Sequence, residues 1–333
     1  MAEPTTTDYI ITGIPADQLF LFLFIFTIGS SAQSLLDVLR KEGFTRWAAV
    51  LESPQNAGVL GYPHNLIIYT PTNAAIARQQ LSGGVNRRQV SDADILAAFL
   101  AVPESGNDGL YKRSNPTCNP DIAGPGTEDL MTLLNDPEFV NLPLGQNASI
   151  VQKNMPKGTL PIVLTGLGDT VRVIAEDIPF DKGVIRPISG WFTLPQLLSE
   201  TLPFLGADKV LGVLERTGLI DDFDNRTGIT FLAPEDPAFP SNLADDVLAD
   251  ILRRHLIVGL PTFTSDINHG DTFRTLAGTT VTVTITCGEV SIGGARILSG
   301  DTIIKNGVVH IIDSVSNRHG TVVCKCRMLT GPY

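Results

Sequence analysis

The histidines are the side chains of this sequence best suited to acid–base or metal chemistry. There are five, and they are His64, His255, His269, His310 and His319. Their spacing does not place two ligands on one face of a common helix, so the sequence predicts no metal site. His255 and His310 lie in apolar stretches, where a buried ring needs hydrogen-bond partners. We therefore predict that both are structural residues of a core.

Motifs for nucleophilic catalysis or phosphate binding are missing from the chain. It contains no Gly-x-Ser-x-Gly elbow, no glycine-rich phosphate loop and no zinc-protease helix. Glu235 and Asp236 form an acidic pair, but at a helix start such a pair first serves the helix dipole and the cap. The sequence therefore predicts no catalytic residue and no cofactor.

The four cysteines, Cys118, Cys287, Cys324 and Cys326, suffice for two disulfides. The last two form a Cys-Lys-Cys motif, which could bind a soft metal. In a secreted chain disulfides are the favoured state. Thiols so close together rarely pair with each other, so we expect Cys324 and Cys326 to bond to Cys287 and Cys118. Which bonds to which stays open.

A secretory leader is predicted at the N-terminus. Residues 19–28 form an apolar run of signal-peptide length, and small residues follow up to Ala32. Cleavage there would make residues 1–32 a signal peptide and Gln33 the first residue of the mature chain. The stretch before the run carries three acidic residues and no Lys or Arg, which is atypical of a leader. The alternative is a buried helix of the first domain.

Charge and surface motifs narrow the range of partners. The net charge of -11 argues against nucleic acid and anionic membranes and is typical of a soluble protein. No later run is long and apolar enough for a transmembrane helix in the mature chain. Asn147 and Asn225 lie in glycosylation sequons, and we predict that both carry glycans.

Two pairs of hydrophobic stretches indicate that one domain occurs twice. Residues 228–239 read as a buried strand broken by Pro234 and followed by an acidic helix start. Residues 305–315 begin with an Asn-Gly turn and continue as a buried strand. Residues 65–76 and 182–189 repeat the two stretches in the same order, with Gly183 at the place of Gly307. Such repetition predicts two copies of one domain.

Residues 228–239 and 305–315 resemble the two signature segments of the fasciclin (FAS1) domain. The family's segments contain Ala-Pro followed by an acidic pair, and Asn-Gly-Val-Val-His-Val-Ile-Asp. The residues that carry the resemblance, including a histidine between the segments, are Pro234, Asp236, His255, Asn306, Gly307, His310 and Asp313. The resemblance implies an α+β fold, in which each domain is a β-sandwich or wedge flanked by helices. It implies no catalytic activity, because the family shares none.

The domain limits follow from the repeat. We assign residues 33–192 to domain 1, residues 193–318 to domain 2 and residues 319–333 to a C-terminal tail. The first copy is the longer one, and its extra residues include a loop over 103–126 that is rich in Pro, Gly, Asn and Asp. We expect a short helix at 129–134, a helix at 243–256 and an alternating strand at 279–286. Almost no linker separates the copies, which favours a rigid two-domain unit.

Two functions fit these features better than an enzyme does. The chain is similar to secreted fungal tandem fasciclins, some of which assist laccase-like multicopper oxidases in coupling phenolic polyketides, as in perylenequinone pigment pathways. This resemblance implies an auxiliary protein with an oxidase as partner, a phenolic ligand held in a cleft between the domains, and the 103–126 loop as contact surface. The alternative is a cell-surface or matrix adhesion protein. Against it, Arg254 stands where adhesive relatives carry a Tyr before the His.

Overall fold

The computed structural model describes residues 33–56, 58, 61, 65–81, 92–102, 126–155, 159–240, 242–286 and 288–315. The leader, nearly all of the 103–126 loop, the four cysteines and the C-terminal tail lie outside these ranges. The cleavage site, the disulfides and the role of the loop therefore stay predictions.

Eight α-helices lie in the described part of the chain, four in each domain. In domain 1 they are α1 (Leu35–Lys41), α2 (Thr45–Leu51), α3 (Asn73–Leu81) and α4 (Asp92–Ala98). In domain 2 they are α5 (Leu198–Thr201), α6 (Asp208–Arg216), α7 (Ile220–Asn225) and α8 (Asp245–His255). Ser34 caps the first helix, because its hydroxyl accepts a hydrogen bond from the amide of Asp37. None of the helices in these ranges is long and apolar enough to cross a membrane.

Domain 1 is built on one sheet of eight described strands. They are β1 (Leu66–Pro71), β2 (Leu100–Val102), β3 (Thr127–Thr132), β4 (Ser149–Lys153), β5 (Ile162–Leu164), β6 (Thr170–Arg172), β7 (Ile178–Phe180) and β8 (Gly183–Ile188). Their order is β6-β5-β4-β3-β2-β1-β8-β7. A bridge from Val173 back to Ile188 closes the curled sheet.

Domain 2 contains a second curled sheet, of seven described strands. They are β9 (Ile229–Pro234), β10 (Leu256–Val258), β11 (Thr272–Arg274), β12 (Thr280–Thr286), β13 (Glu289–Ile292), β14 (Ala295–Ile304) and β15 (Gly307–Ile312). Their order is β10-β9-β15-β14-β13-β12-β11. A bridge from Ile257 to Thr275 again joins the two ends of the sheet. Helices beside two curled sheets confirm the predicted α+β class.

The sequence repeat is a structural repeat at the centre of each sheet. β1 pairs in parallel with β8, and β9 pairs in parallel with β15, in matching registers that begin at Gly183 and Gly307. β1, β9 and β15 are buried at every residue, as their runs of mostly apolar residues predict, whereas β8 is buried at three of its six residues. The two signature stretches of each copy are therefore neighbours in space.

Both glycines of the repeat permit a close approach of two backbones. Each has φ of +156°, which L side chains rarely adopt. A Cβ atom on Gly307 would lie 1.9 Å from the carbonyl oxygen of Ile229, and one on Gly183 would lie 2.0 Å from that of Leu66. The parallel pairing thus requires glycine at both positions.

Two local predictions are wrong. Residues 129–134 are not a helix, because strand β3 covers Thr127–Thr132 and pairs along its length with β4. Buried Leu130, exposed Met131 and buried Thr132 show the alternation of a strand, and the pairing overrides the helical propensity of this segment. The acidic pair after Pro234 begins a turn rather than a helix, with the amides of Ala238 and Phe239 bonded to the carbonyl of Glu235.

The turn before β15 also differs from its predicted form. Ile304 pairs with Gly307, so the central residues of the turn are Lys305 and Asn306 rather than Asn306 and Gly307. Asn306 does not adopt positive φ. Its side-chain amide instead donates to the carbonyls of Phe223 and Arg226, at 2.7 and 2.8 Å, which satisfies the C-terminal end of α7.

We expect Gly307→Ala to destabilise domain 2 by about 3 kcal/mol or more, because its Cβ would overlap the backbone of β9. Gly183→Ala should do the same to domain 1. The emission of Trp47 and Trp191, the two tryptophans of the chain, reports on domain 1, and far-UV circular dichroism reports on both domains.

Gly212→Ala is the matched control. It lies inside helix α6 with only the far end of the Arg216 side chain nearby, so it should stabilise the protein by about 0.5–1 kcal/mol. Urea unfolding of the three variants checks both statements. A loss below about 0.5 kcal/mol in Gly307→Ala would contradict the steric argument.

Candidate functional site

The same position of the repeat carries a different polar residue in each domain. Counting from the strand's first glycine, the fourth residue is His310 in β15 and Arg186 in β8. In the strand registers His310 pairs with Leu232 and Arg186 pairs with Tyr69. The two domains therefore place different side chains, an imidazole and a guanidinium, at equivalent positions of the fold.

His310 is fully buried, and its tautomer follows from its partners. Nδ1 accepts a hydrogen bond of 3.0 Å from the backbone amide of Asp301, so the ring hydrogen is on Nε2. Nε2 donates to the carbonyl of Thr262 at 2.9 Å. Burial lowers the pKa of His310, against the opposing effect of the Asp301 carboxylate. The ring is neutral and both of its nitrogens are used.

Asp301 connects His310 to the segment of residues 260–266, which we call the strap. Its carboxylate accepts hydrogen bonds from the backbone amide of Thr264, at 2.7 Å, and from the Thr264 hydroxyl. Asp301 has φ of +70°, an unusual value for a residue with a side chain. Gly300 leaves room for this arrangement, because a Cβ there would lie 3.0 Å from the Thr264 methyl group. The hydrogen bonds thus hold a costly backbone conformation.

The strap reaches from domain 2 into domain 1. Phe263 is a buried member of the hydrophobic cluster that is otherwise built mainly by domain 1, together with Ile303 and Val308. The Ser265 hydroxyl donates to the carboxylate of Asp129 on β3, at 2.8 Å. The two domains therefore share one core at this interface.

A second set of contacts lies at the turn before β15. The amide of Asn141 donates to the carbonyl of Lys305 at 2.7 Å. The Asn141 side chain donates to the carbonyl of Asn225 at 3.0 Å and accepts from the Thr227 hydroxyl at 2.9 Å. The amide of Lys305 in turn donates to the carbonyl of Gln196 in the segment that joins the domains. Asn141 thereby bonds domain 1 to the turn before β15 and to the end of α7.

One cavity lies at the interface of the domains. A cavity of about 10 Å³ lies between domain 1 and Ile303 of domain 2, lined mostly by apolar side chains. Such a volume holds about one water molecule. This cavity is therefore too small for a phenolic ring, and the cleft expected for such a ligand stays a prediction.

In domain 1 a charged network replaces the imidazole. The Arg186 guanidinium forms a bidentate pair with Asp177, at 2.8 and 2.6 Å, and donates to Gln152 at 2.7 Å. It also lies over the ring of Tyr69, 5.6 Å from the centroid. Burial raises the pKa of Tyr69 to about 12, so the phenol stays neutral. Burial alone would lower the pKa of Arg186, but the pair with Asp177 more than offsets this effect and raises it.

His255 lies at the end of helix α8. It is fully buried, and its Nδ1 is 2.7 Å from the carbonyl of Ile251 one turn earlier in the same helix. Burial lowers the pKa of His255 to about 4. The neighbouring Arg254 forms an ion pair with Asp250.

The remaining signature residues each bind one element to another. Pro234 ends β9 opposite Ile312. The carboxylate of Asp236 accepts from the amide of Lys209 in the first turn of α6, and that of Asp313 accepts from the amide of Arg296 on β14. Of the two sequons, Asn225 is exposed at the end of α7, whereas Asn147 is half-buried and donates to the carbonyl of Thr132.

Sequence reasoning did not find several residues of this site. Asp301, Thr262 and Thr264 carry no recognisable motif, and Asn141 lies far from its partners in the chain. The one available signal was the alignment of Arg186 with His310 in the repeat. Among the described residues no group of three or more His, Cys, Asp or Glu side chains is arranged to hold a metal ion.

We expect His310→Ala to destabilise domain 2 by about 1–3 kcal/mol, because it leaves the Asp301 amide and the Thr262 carbonyl without partners. Function in any assay should fall only in proportion to the folded fraction. Thermal unfolding and far-UV circular dichroism check this. A variant that unfolds like the parent yet loses all function would show that His310 acts directly.

His255 should make domain 2 sensitive to acid. Because its folded pKa is depressed below the ordinary value of about 6.5, its stabilising effect is complete above that pH and is lost as the pH falls toward about 4. At pH 5 the loss should be about 2 kcal/mol. We expect His255→Gln to lose about that much less than the parent between pH 7.5 and pH 5.0 in urea titrations. Equal losses would contradict the assignment.

Comparison with known proteins agrees with this architecture. Residues 206–316 match the fasciclin domain family model. A fasciclin-like arabinogalactan protein, CTB11, of Cercospora beticola is 26% identical over 292 residues, which cover 85% of this chain and 76% of that protein. A fasciclin-like arabinogalactan protein of Arthroderma benhamiae is 24% identical over 80% of this chain and 62% of its own length. A third, elcF of Phaeosphaeria nodorum, is 24% identical over 55% of this chain and 59% of its own length.

Among solved structures, a FAS1 domain pair from the insect cell adhesion molecule fasciclin I covers 83% of this chain and 97% of its own, with 14% identity and a TM-score of 0.37. The first domain repeats the fold of the second. The parallel pair of β1 and β8 repeats the register of β9 and β15, from the glycine to the last residue of the strand. The chain is therefore a tandem FAS1 protein, homologous to fungal fasciclin-like proteins.

Proposed function

We propose that this protein is a secreted, non-catalytic auxiliary that binds a laccase-like multicopper oxidase and directs the oxidative coupling of phenolic polyketides. The observation that carries the proposal is the shared core of the two domains, in which Phe263, Ile303 and Val308 of domain 2 join the cluster of domain 1. Hydrogen bonds through Asn141 and Ser265 add to it. The pair of domains thus forms a preorganised binding body.

A rigid body suits the control of radical coupling. Phenoxyl radicals in solution couple at several ring positions, whereas radicals that are held against a surface couple in the orientation which that surface imposes. A flexible pair of domains would lose entropy on binding and would orient its ligand poorly. The interdomain contacts are therefore the part of the structure on which this function depends most.

Binding would use the outer surface of the pair. His310, His255 and Asn306 are buried and hydrogen-bonded within the protein, so the signature residues serve its structure. The cavity at the interface is too small for a naphthol ring. Secretion rests on the apolar leader and its cleavage site in the sequence. The fungal relatives CTB11 and elcF are named fasciclin-like arabinogalactan proteins, which supports a fasciclin-type protein.

Reconstitution with the oxidase tests the proposal. A naphthol-type substrate should give no coupling with this protein alone, and adding it to the cognate multicopper oxidase should change the ratio or yield of coupled products. Asn141→Ala removes the interdomain bonds to Asn225 and Thr227 and should weaken the effect by about threefold to tenfold. Asn242→Ala, a change of the same type at an exposed position, should leave it unaltered.

Product analysis by liquid chromatography decides the outcome. Identical products with and without the folded protein would reject the auxiliary role. Attachment of cells to surfaces coated with the protein would then favour adhesion as its function.

A further inference from the structure

We propose that the strap of residues 260–266 is an acid-released coupling between the two domains, and that protonation of His310 is the event that releases it. The proposal does not depend on the partner or ligand of the protein. It follows from the hydrogen bonds of the buried His310 ring and from the contacts that Phe263 and Ser265 of the strap make with domain 1.

The neutral ring is built into the geometry. Nδ1 accepts from the Asp301 amide at 3.0 Å, and Nε2 donates to the Thr262 carbonyl at 2.9 Å. A proton on Nδ1 would face the hydrogen of that amide, so two donors would point at each other. Rotation of the ring does not restore the bond, because a protonated imidazole has no acceptor nitrogen to offer the amide.

The charged groups around the ring favour release of the strap in a second way. The Asp301 carboxylate lies 3.9 Å from Nδ1, and Lys153 on β4 of domain 1 is the other charge that acts on it. Lys153 opposes a positive ring. Asp301 would attract one, but its two oxygens already accept from the amide and the hydroxyl of Thr264. Turning the carboxylate to the imidazolium would therefore detach the strap at Thr264.

Release of the strap would reach domain 1 directly. Phe263 lies between Thr262 and Thr264 in the chain, and it is 7% exposed within the cluster shared with domain 1. Ser265, the next residue, is bonded to Asp129. A strap that loses its bonds to His310 and Asp301 keeps those of Leu260 and Thr262 to the Thr230 hydroxyl. It loses the bonds that fix Thr264, the residue between Phe263 and Ser265. Loosening the strap therefore loosens the interface.

Domain 1 lacks this sensitivity at the equivalent position. Arg186 remains protonated throughout the pH range in which imidazoles titrate, and its partners Asp177, Gln152 and Tyr69 suit a permanent cation. Acid should therefore affect the interface and domain 2 first and leave the core of domain 1 intact.

Amide hydrogen exchange on the mature chain (residues 33–333) tests the proposal. Between pH 7.5 and 5.0 we expect the protection factors of residues 262–266, corrected for intrinsic rates, to fall by about tenfold. Residues 229–234 of β9 report on unfolding of the whole domain, which acid also favours through His255. In His255→Gln, where that effect is removed, they should change less than the strap. The emission of Trp47 and Trp191 should stay constant, because both lie in domain 1.

Two variants that cannot titrate provide the comparison. His310→Gln and His310→Asn each keep one donor and one acceptor at the site, so neither should show the fall in strap protection. His255→Gln is the matched control at a second buried histidine of domain 2, whose Nδ1 is bonded within its own helix, and it should retain the fall. A pH-dependent loss of strap protection in folded His310→Gln equal to that of the parent would overturn the proposal.

A measurement on the parent protein keeps the test valid if both variants fail to fold. Nitrogen chemical shifts of the His310 ring should show the Nε2–H tautomer at pH 7.5, and its protonation should coincide with strap release. Release at a pH where Nδ1 is still unprotonated would refute the mechanism, as would a strap whose protection does not change with pH.

Discussion

The parallel pairing of the two signature strands is the constraint on which the rest of the structure depends. In each domain it requires a glycine whose backbone approaches that of the neighbouring strand more closely than a Cβ atom would permit, at Gly183 and at Gly307. Once that register is set, the residues of β15 have fixed partners. Asn306 is hydrogen-bonded to the end of α7, His310 to the strap, and Asp313 to β14.

The register also explains why polar groups can be buried here. An imidazole, an amide and a carboxylate in an apolar core are each costly unless their hydrogen bonds are satisfied. Domain 2 satisfies His310 with backbone groups and a nearby carboxylate, whereas domain 1 satisfies Arg186 with an ion pair, an amide and an aromatic ring. One fold thus tolerates either a neutral or a charged residue at this position. The second solution is insensitive to mild acid and the first is not.

The interface between the domains links the hydrogen bonds of His310 to the relative orientation of the two domains. Residues of the strap and of β14 belong to the core cluster of domain 1, so this core extends into domain 2, whose two other clusters are built from its own residues. The relative orientation of the two surfaces then depends on hydrogen bonds buried inside domain 2. A protein that works by presenting two surfaces in a fixed geometry could be controlled at that point, without any change at the surfaces themselves.

The sequence by itself indicated the repeat and, through the family resemblance, the α+β class, because buried strands and the glycines that begin them leave strong local patterns. It also identified His310 and Asn306 as structural candidates. Only the tertiary structure decided what these side chains contact, since Asp301, Thr262 and Asn141 are distant in the chain and carry no motif. The helix expected at 129–134 became a strand for the same reason, because pairing with β4 outweighs local propensity. Periodicity reports which face of an element is buried, but the identity of its partner depends on how separate elements pack together.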